Sequence, residues 1–495
     1  MERLEKTIFE NLKNRGEEDC LWWEGSWLTC SDLADLAEGC ASVLRVGNFG
    51  RGQRLAVLLP NSPLVLALSL AAWSLGGAIA PLNAKSGLPS LLGTLNLIEP
   101  CAAVLAPGLD ELKEALHGKG VPTVTPSSYT APLPPLTVRE TTRESEDMAV
   151  IFATSGTTGL PKAVPLTHGN LLDNAYGMFK ALTLLKEGDV FLNVLPNFHS
   201  FGYTVAGIMP LVKNIRQTIL ASFLPPVEAM KAIALSKVSV MIAVPAMLHF
   251  MITAVERGAP KPPALTMIVT GGDRLNIQLD GKTKDVLGTG IIEGYGLTEC
   301  SPVVAVNRNY EERILGTVGP ILESYEWKLR NEAKEDVTPS GEGVLWVKGP
   351  SVTSGYFRDP VITAERFEDG WFNTGDFVRL EEGSIRILDR VTDIIIVGGF
   401  NVYPQEVEAI LNLHPAVSSA VVVGMPHPVN GEVPRAFIIL WEGMEATARE
   451  IIDFCKKHLA HFKVPRSIEF RTEFPVSSTG KVLRRMLRDQ KGEKK

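Results

Sequence analysis

Short apolar segments alternate along this chain with longer helical ones, and this alternation limits the fold more than any other feature. The apolar runs include RLAVLLP (54–60), MAVIFAT (148–154), KVSVMIAV (237–244) and LTMIVTGG (265–272). Helix-like stretches such as SPLVLALSLAAWSL and PPVEAMKAIALSK lie between such runs. Buried strands that alternate with helices are typical of strand–helix–strand units and parallel sheets. We therefore expect an α/β fold.

The length of 495 residues is too great for one compact core, because domains average roughly 150 residues and three or four units are expected. The proline-rich stretch 121–138 is typical of a surface connection. Glycine-rich turns between Gly316 and Gly355, with GEGVLWVKGP between them, predict a smaller β-rich unit. After Asp389 the pattern is strand, turn, helix and strand, which predicts a small α+β terminal domain.

The longest uncharged stretch, Leu55 to Ala84, is long enough to suggest a membrane span. The cluster Pro60-Asn61-Ser62-Pro63 divides it into a strand-like and a helix-like part, so we expect buried core instead. The N-terminal residues do not have the basic and apolar pattern of a signal peptide. We expect no transmembrane segment, although peripheral contact with a membrane stays open.

Charge and cysteine content exclude several classes of protein. A net charge of -7 gives no electrostatic case for binding nucleic acid. The six cysteines contain no C-x-x-C pair, so neither a zinc knuckle nor a disulfide framework is expected. A reducing, cytoplasmic location is favoured. The sequence does not indicate an oligomeric state.

The stretch ATSGTTGLPKAV (153–164) raises the question of a phosphate-binding loop. A Walker A loop needs lysine directly after its second glycine, and then a hydroxyl that binds magnesium. Here Leu160 and Pro161 separate Gly159 from Lys162, and Ala163 follows the lysine. The Walker interpretation is therefore excluded.

The composition of this stretch still fits phosphate binding, because hydroxyls can donate hydrogen bonds, glycines let backbone amides approach an anion, and a lysine supplies charge. These groups are Thr154, Ser155, Thr157 and Thr158, then Gly156 and Gly159, and Lys162. A flexible serine and threonine turn would have the same spacing. The two interpretations stay open on these residues alone.

Five ordered segments together carry a resemblance to a known family. TSGTTGLPKAVPLTHGN (154–170) resembles the phosphate-loop signature of the adenylate-forming superfamily, which includes acyl-CoA synthetases, luciferases and peptide-synthetase adenylation domains. The other four resemble further signatures of that family, in the family's order: EGYGLTE (293–299), GWFNTGD (370–376), DRVTDIIIVGGFNVYPQEVE (389–408) and SSTGKVLRR (477–485). The resemblance covers essentially the whole chain.

The resemblance implies a fold and a reaction. The fold would have a large N-terminal adenylation domain (1–388) with two doubly wound α/β subdomains and a β-barrel-like one. A hinge (389–392) and a small mobile α+β lid (393–495) would follow. In such enzymes a carboxylate attacks the α-phosphate of ATP to give acyl-AMP and pyrophosphate, and a thiol then displaces AMP. ATP, Mg²⁺ and CoA are the implied small molecules.

Matching this chain to the motifs also implies roles for particular residues. The loop from Thr154 to Lys162, with its hydroxyls and glycines, would hold the ATP phosphates. The residues expected at the reacting groups are Thr298 for the α-phosphate, Glu299 for Mg²⁺, and Lys481 for the charge that develops during adenylation. The residues expected around adenine and ribose are Gly271, Gly272, Tyr295, Asp376 and Arg390.

The match to the family is weaker around the hinge and the CoA site. The family's pivot position falls on Thr392 here, with Asp393 as its rival. Gly398 and Gly399 resemble the glycines that line the pantetheine tunnel of acyl-CoA ligases, although a glycine pair is otherwise typical of a plain turn. Lys463 and Arg466 are candidates for the nucleotide end of CoA, and ordinary solvated charges explain them equally well.

The identity of the acid rests on LPNFHSFGYTVAG (195–207), which resembles the fatty-acyl branch of the family. There His199 and aromatic side chains border the acyl pocket, together with the backbone of Gly271 and Gly272. This segment contains no lysine or arginine that could meet a second carboxylate. A medium- or long-chain fatty acid transferred to CoA is therefore the preferred interpretation.

Three alternatives are kept. They are transfer of the acyl group to acyl carrier protein, a CoA ligase for an aryl or short-chain acid, and a catalytically silent acyl or nucleotide binder. The silent binder is least favoured, because Lys162, Glu299, Asp376 and Lys481 are all present.

Overall fold

The computed structural model describes residues 2–155, 161–273, 275–331, 333–441, 443–476 and 482–488 of the chain. The chain forms two compact units. The first unit is Met1–Glu326 with Val347–Phe372, and the second is Trp327–Trp346 with Asn373–Lys495. The expected hinge at 389–392 lies inside the second unit, and the domain boundaries inferred from the sequence stay a prediction.

The helices follow the expected alternation with strands. They are α1 (Leu4–Arg15), α2 (Cys30–Val46), α3 (Pro63–Ser74), α4 (Leu88–Ile98), α5 (Asp110–His117), α6 (His168–Ala181), α7 (Met209–Val212), α8 (Pro226–Leu235), α9 (Pro245–Glu256), α10 (Ile277–Leu287), α11 (Pro360–Arg366), α12 (Pro404–Leu411), α13 (Ala448–His458) and α14 (Arg484–Arg488). Shorter turns include a π-helix at Phe201–Ile208 and 3-10 turns at Thr298–Cys300 and Val391–Asp393.

The strands of the first two sheets are β1 (Asp19–Trp23), β2 (Ser26–Thr29), β3 (Arg54–Leu58), β4 (Ala78–Pro81), β5 (Ala102–Leu105), β6 (Thr123–Val124), β7 (Met148–Ser155), β8 (Pro161–Thr167), β9 (Val190–Asn193), β10 (Arg216–Ile219), β11 (Val240–Ala243), β12 (Met267–Thr270), β13 (Ile291–Gly296) and β14 (Val303–Val306). The later strands are β15 (Glu326–Arg330), β16 (Glu342–Lys348), β17 (Phe367–Glu368), β18 (Trp371–Glu381), β19 (Ser384–Arg390), β20 (Ile395–Val397), β21 (Phe400–Val402), β22 (Val417–His427), β23 (Gly431–Leu440) and β24 (Ser467–Phe470).

Two mainly parallel sheets form the first unit, as the alternation predicts. The eight-stranded sheet has the order β14-β13-β12-β11-β9-β10-β1-β2, and the six-stranded sheet has the order β6-β5-β3-β4-β7-β8. Their inner pairings are parallel, whereas β13–β14, β1–β2 and β7–β8 are antiparallel edge pairs. The four apolar runs quoted above are β3, β7, β11 and β12. Strands that are buried on both faces are continuously apolar, which is why the apolar runs in the sequence predict them.

The uncharged stretch Leu55 to Ala84 forms β3, α3 and β4. Helix α3 begins at Pro63, and its residues from Pro63 to Trp73 are all buried. A helix that is apolar on every side belongs in a core, and α3 packs against α2. Within the described residues, no helix is long and apolar enough to cross a membrane.

The second unit contains a sheet of order β21-β20-β23-β22, with β24 paired to β23. Its core includes Ile395, Val402, Val407 and Ile438, and α12 and α13 supply apolar side chains to it. The expected order of strand, turn, helix and strand after Asp389 is present as β20, β21, α12 and β22.

A further five-stranded sheet joins β15, β16, β18 and β17 in order, with β19 on β18. The segment GEGVLWVKGP supplies β16, as its β-rich pattern predicts.

Candidate active site

The strands around the candidate phosphate loop place the two ends of the loop opposite each other, in two residue pairs. β7 and β8 are antiparallel, with Thr154 opposite Lys162 and Ser155 opposite Pro161. The predicted phosphate ligands Gly156, Thr157, Thr158 and Gly159 lie outside the described residues. The structure thus fixes both ends of the loop, and phosphate binding by its middle stays a prediction.

Tyr356, a residue that the sequence did not single out, contacts both Glu299 and Lys162. Its hydroxyl donates to Glu299 Oε1 at 2.6 Å. Lys162 Nζ lies 5.5 Å from the centroid of the tyrosine ring, within the range of a cation–π interaction. The residue predicted to neutralise phosphate and the residue predicted to bind magnesium are therefore joined by one aromatic side chain.

Backbone hydrogen bonds hold the segment that carries Tyr356. The Thr353 N–H donates to the Glu299 carbonyl at 2.8 Å, and the Phe357 N–H donates to the Ala163 carbonyl at 2.8 Å. The Thr353 hydroxyl donates to the Pro165 carbonyl at 2.6 Å. This segment is thus tied to β8 and to the 3-10 turn of Glu299 at once. In the sequence the only signal was a glycine followed by a tyrosine, which is typical of a turn.

Tyr356 is suited to donate a hydrogen bond while it keeps its proton. Burial raises the pKa of its hydroxyl far above the ordinary value, and the nearby Glu299 carboxylate raises that pKa further. An ionised tyrosine beside a carboxylate would place two negative charges together. The hydroxyl therefore keeps its proton and its hydrogen bond to Glu299.

Glu299 is chemically suited to the Mg²⁺ that the sequence predicts. Mg²⁺ prefers oxygen ligands and is usually held by one or two carboxylates with substrate phosphates and water. In the described part of the chain no group of three or more His, Cys, Asp or Glu residues is placed to hold a metal. A Mg²⁺ at Glu299 would also take ligands from ATP phosphates and water, as is usual for this ion. Binding of the ion stays a prediction.

Thr298, expected at the α-phosphate, is hydrogen-bonded to a second residue that the sequence did not single out. Its Oγ1 lies 3.0 Å from Ser200 Oγ. Both side chains are buried. Ser200 directly follows His199, so this bond links the 195–207 segment to the EGYGLTE motif.

His199 itself is exposed, and its Nδ1 accepts from the Phe201 N–H at 3.2 Å. Its role at the acyl pocket stays a prediction.

The glycines after β12 permit a close approach between strands and an aromatic ring. A Cβ atom on Gly271 would lie 3.2 Å from the Gly294 carbonyl oxygen and 3.3 Å from Cζ of Phe201. Gly272 has φ +81°, which other residues rarely adopt. Tyr295, on β13, is half-buried beside this region and pairs with Ala305. Gly271, Phe201 and the β13 backbone are therefore neighbours, as expected for one wall of a pocket.

The second unit brings together the two residues predicted to bind ribose. Asp376 on β18 pairs with Arg390 on β19, and the Arg390 Nε lies 3.3 Å from Asp376 Oδ1. Asp376 is only 3% exposed. Beside them, burial raises the pKa of Asp389 to about 6. The Asp389 carboxylate accepts from the N–H groups of Arg390 (2.9 Å) and Gln405 (3.1 Å).

The predicted hinge and tunnel residues lie just beyond this pair. Thr392 is in the 3-10 turn Val391–Asp393, and the rival pivot Asp393 accepts from Arg488 Nη2 at 3.3 Å. Gly398 and Gly399 connect β20 to β21 with φ +58° and +88°, so a tight hairpin alone already requires glycine there. Their role in a tunnel stays a prediction.

The two basic candidates for the nucleotide end of CoA differ in their surroundings. Lys463 Nζ forms an ion pair with Glu406 at 2.6 Å. Arg466 is exposed. Neither observation assigns them to CoA.

Lys481 lies outside the described residues, but the segments on both sides of it are anchored. Val476 and Val482 form an antiparallel bridge, and the Leu483 N–H donates to the Pro475 carbonyl at 2.8 Å. Arg484 forms two hydrogen bonds with the buried Glu408 carboxylate of α12, one of them at 2.8 Å. It also donates to the Val422 carbonyl of β22 at 2.8 Å. The residues that flank the predicted catalytic lysine are thus held by contacts within the second unit.

Comparison with known proteins agrees with this geometry. Residues 8–357 match the AMP-binding enzyme family, and residues 406–481 match the AMP-binding enzyme C-terminal domain. A long-chain-fatty-acid–CoA ligase from Bacillus subtilis (strain 168) is 29% identical over 99% of this chain and 95% of its own length. A feruloyl-CoA synthase from Amycolatopsis sp is 30% identical over 94% of this chain and 95% of its own length.

A solved structure agrees over nearly the whole chain as well. The o-succinylbenzoate CoA synthetase from Bacillus subtilis, in complex with its acyl-adenylate intermediate, is 27% identical with a TM-score of 0.84, over 98% of this chain and 99% of that one. The family match covers well over half of the sequence. The chain therefore belongs to the AMP-binding family of adenylate-forming enzymes, and it is an AMP-forming acid–thiol ligase.

Proposed function

We propose that this enzyme activates a medium- or long-chain fatty acid as its acyl-AMP and transfers the acyl group to CoA. The observation that carries the fatty-acid part is the uncharged segment 195–207, whose π-helix Phe201–Ile208 is buried from Gly202 onward. A π-helix often marks a functional site. The resemblance to a long-chain-fatty-acid–CoA ligase over 99% of the chain supports the same choice.

In the adenylation step, one acid oxygen attacks the α-phosphorus of ATP and the bond to pyrophosphate breaks. This chemistry depends on positioning and on neutralising charge. We assign Lys162 and the adjoining loop to the departing phosphates, Glu299 to Mg²⁺, and Thr298 to an α-phosphate oxygen. Mg²⁺ would neutralise phosphate charge when bound. Asp376 and Arg390 would hold the ribose, and Lys481 would meet the charge that develops at the α-phosphate.

In the second step, the CoA sulfur attacks the acyl carbon of acyl-AMP, and AMP leaves with the electrons of the broken C–O bond. We keep Gly398 and Gly399 as the pantetheine passage and Thr392 as the pivot of the lid within this proposal. A cytoplasmic location also belongs to it, supported by six cysteines that are all buried and unbridged.

An aryl acid is the second candidate substrate. The feruloyl-CoA synthase matches over 94% of this chain, and the Phe201 ring beside Gly271 would suit a flat substrate as well as an alkyl chain. Apolar walls separate one methylene from another by only about 1–3 kcal/mol, so pocket composition favours neither candidate strongly.

The test supplies the enzyme with ATP, Mg²⁺ and a panel of acids from C2 to C18 together with ferulate and benzoate. Pyrophosphate release and thioester formation are measured separately, with CoA and with phosphopantetheinylated acyl carrier protein as acceptors. We expect the highest kcat/KM for a fatty acid with CoA. A preference for ferulate would overturn the acid assignment, and thioester formation with carrier protein alone would overturn the acceptor.

A further inference from the structure

We propose that Tyr356 is a positioning residue that holds the Glu299 carboxylate for Mg²⁺ and couples it to the phosphate-binding Lys162. This inference rests on the proposed role of Glu299 as the magnesium ligand. It adds a residue to which neither the sequence motifs nor the family match assigns a function.

The first argument is the hydrogen bond to Glu299. The Tyr356 hydroxyl donates to Oε1 at 2.6 Å, which limits rotation of the carboxylate about its terminal bond. Hydrogen bonds to metal-binding carboxylates orient them, and their loss typically costs about 10- to 100-fold in metal affinity or activity. Tyr356 is therefore placed to present Glu299 in one orientation.

The second argument is that the Tyr356 side chain is itself held rigidly. The residue is 6% exposed, and its ring packs edge-on against Phe367 with 6.3 Å between centroids. Its backbone N–H donates to the Thr363 hydroxyl at 2.9 Å. A supporting residue can fix its neighbour only if packing fixes its own rotamer. Tyr356 meets this condition.

The third argument is the contact with Lys162. The ammonium lies over the same ring, 5.5 Å from its centroid, so the ring restrains the lysine while the hydroxyl restrains the glutamate. A shift of this one side chain would therefore disturb the metal ligand and the phosphate ligand together.

The experiment compares wild type with Tyr356→Phe, which keeps the ring and removes the hydroxyl. Tyr176→Phe is the matched control, because that hydroxyl also donates to a glutamate, Glu2 Oε1 at 3.1 Å. Glu299→Gln tests the underlying role of the carboxylate. The full-length proteins are titrated with Mn²⁺ in the presence of α,β-methylene-ATP, followed by electron paramagnetic resonance, and with the analogue alone by calorimetry.

We expect Tyr356→Phe to weaken Mn²⁺ binding about 10-fold or more, while the affinity for the metal-free analogue changes less than threefold. Tyr176→Phe should match wild type in both titrations. If part of a variant's protein does not fold, the measured number of binding sites per chain falls, but the dissociation constant of the folded molecules can still be measured. A partly unstable variant therefore still gives a result.

Two outcomes would overturn the inference. If Glu299→Gln loses Mn²⁺ affinity and Tyr356→Phe does not, Tyr356 has no positioning role although Glu299 keeps its own. If neither variant changes Mn²⁺ affinity, the role of Glu299 fails and the role of Tyr356 fails with it. The two results differ in the Glu299→Gln titration, so the failures are distinguishable.

Discussion

Replacing Arg484 with alanine is expected to loosen the second unit around α12 and β22. The guanidinium forms two hydrogen bonds with the Glu408 carboxylate and one with the Val422 carbonyl. Glu408 Oε1 also accepts from the Val422 N–H at 2.6 Å. Without Arg484, the carboxylate is left buried and without its cation.

The magnitude follows from the burial of the pair. Removing one partner of a buried ion pair costs about 3–5 kcal/mol, whereas an exposed pair contributes only about 0–1 kcal/mol. The side chains of Arg484 and Glu408 are 23% and 8% exposed. Because the pair is not fully buried, we take the lower end of the energy range for buried ion pairs. A loss of about 3 kcal/mol corresponds to a factor of roughly 150 in the local opening equilibrium.

Hydrogen–deuterium exchange measures this locally, which avoids treating a two-unit protein as a single two-state system. Peptides covering α12 and β22 should lose roughly 100-fold in protection, while peptides covering β11 and β12 should be unchanged. Arg485→Ala is the matched control, because Arg485 is the exposed neighbour on the same helix. Its effect should stay within about 1 kcal/mol, the most that an exposed pair typically contributes.

A double variant separates the lost ion pair from lost packing. Arg484→Met with Glu408→Gln removes both charges and keeps an acceptor for the Val422 N–H. It should recover more than half of the protection that Arg484→Ala loses, since buried pairs can be replaced by uncharged groups of similar volume at little cost. If Arg484→Ala changes protection less than threefold, the pair does not anchor this region and the reasoning is refuted.

Three further predictions concern the chemistry and the pH dependence. Lys481→Ala should lose most acyl-AMP formation, measured as pyrophosphate release, and still convert preformed acyl-AMP with CoA; equal loss in both assays would contradict the assigned role. Asp376→Asn should raise the KM for ATP roughly 10- to 100-fold, because hydrogen bonds to a charged group contribute about 1.5–3 kcal/mol. Asp453→Asn, whose side chain on α13 is 49% exposed, should leave that KM unchanged. Asp389 has a folded-state pKa of about 6, above its ordinary value of 3.8, so its ionisation destabilises the fold as pH rises through about 6. Asp389→Asn should therefore gain stability relative to wild type as the pH rises from about 4 to about 7, by about 2 kcal/mol in chemical denaturation, and a pH-independent difference would show that Asp389 does not titrate in this range.

The strands of the two parallel sheets could be predicted because their signal is local. Runs such as those of β3 and β12 are buried on both faces and are therefore apolar at every position. The proline cluster at 60–63 likewise separated β3 from α3 correctly. The resemblance of the motifs then predicted roles for Thr298, Glu299 and Asp376. It did not predict which side chains these residues contact.

Contacts between distant segments could not be predicted from local pattern. Tyr356 and Glu299 are 57 positions apart, and Ser200 and Thr298 are 98 positions apart. Neither pair has a periodicity that would link its members, and a tyrosine after a glycine is typical of any turn. These bonds exist because β8, β13 and the segment before α11 meet in three dimensions.

The burial of α3 from Pro63 to Trp73 has a consequence for biosynthesis. Its Trp73 donates to the Ala149 carbonyl at 2.7 Å, and its Ser69 hydroxyl accepts from Tyr203 at 2.8 Å, 134 positions further along the chain. A ribosome adding about 5–20 residues per second needs about 7–27 s to make that interval. For this time a nascent chain carries an apolar helix without its later partners, which favours binding by a chaperone that shelters apolar segments during translation.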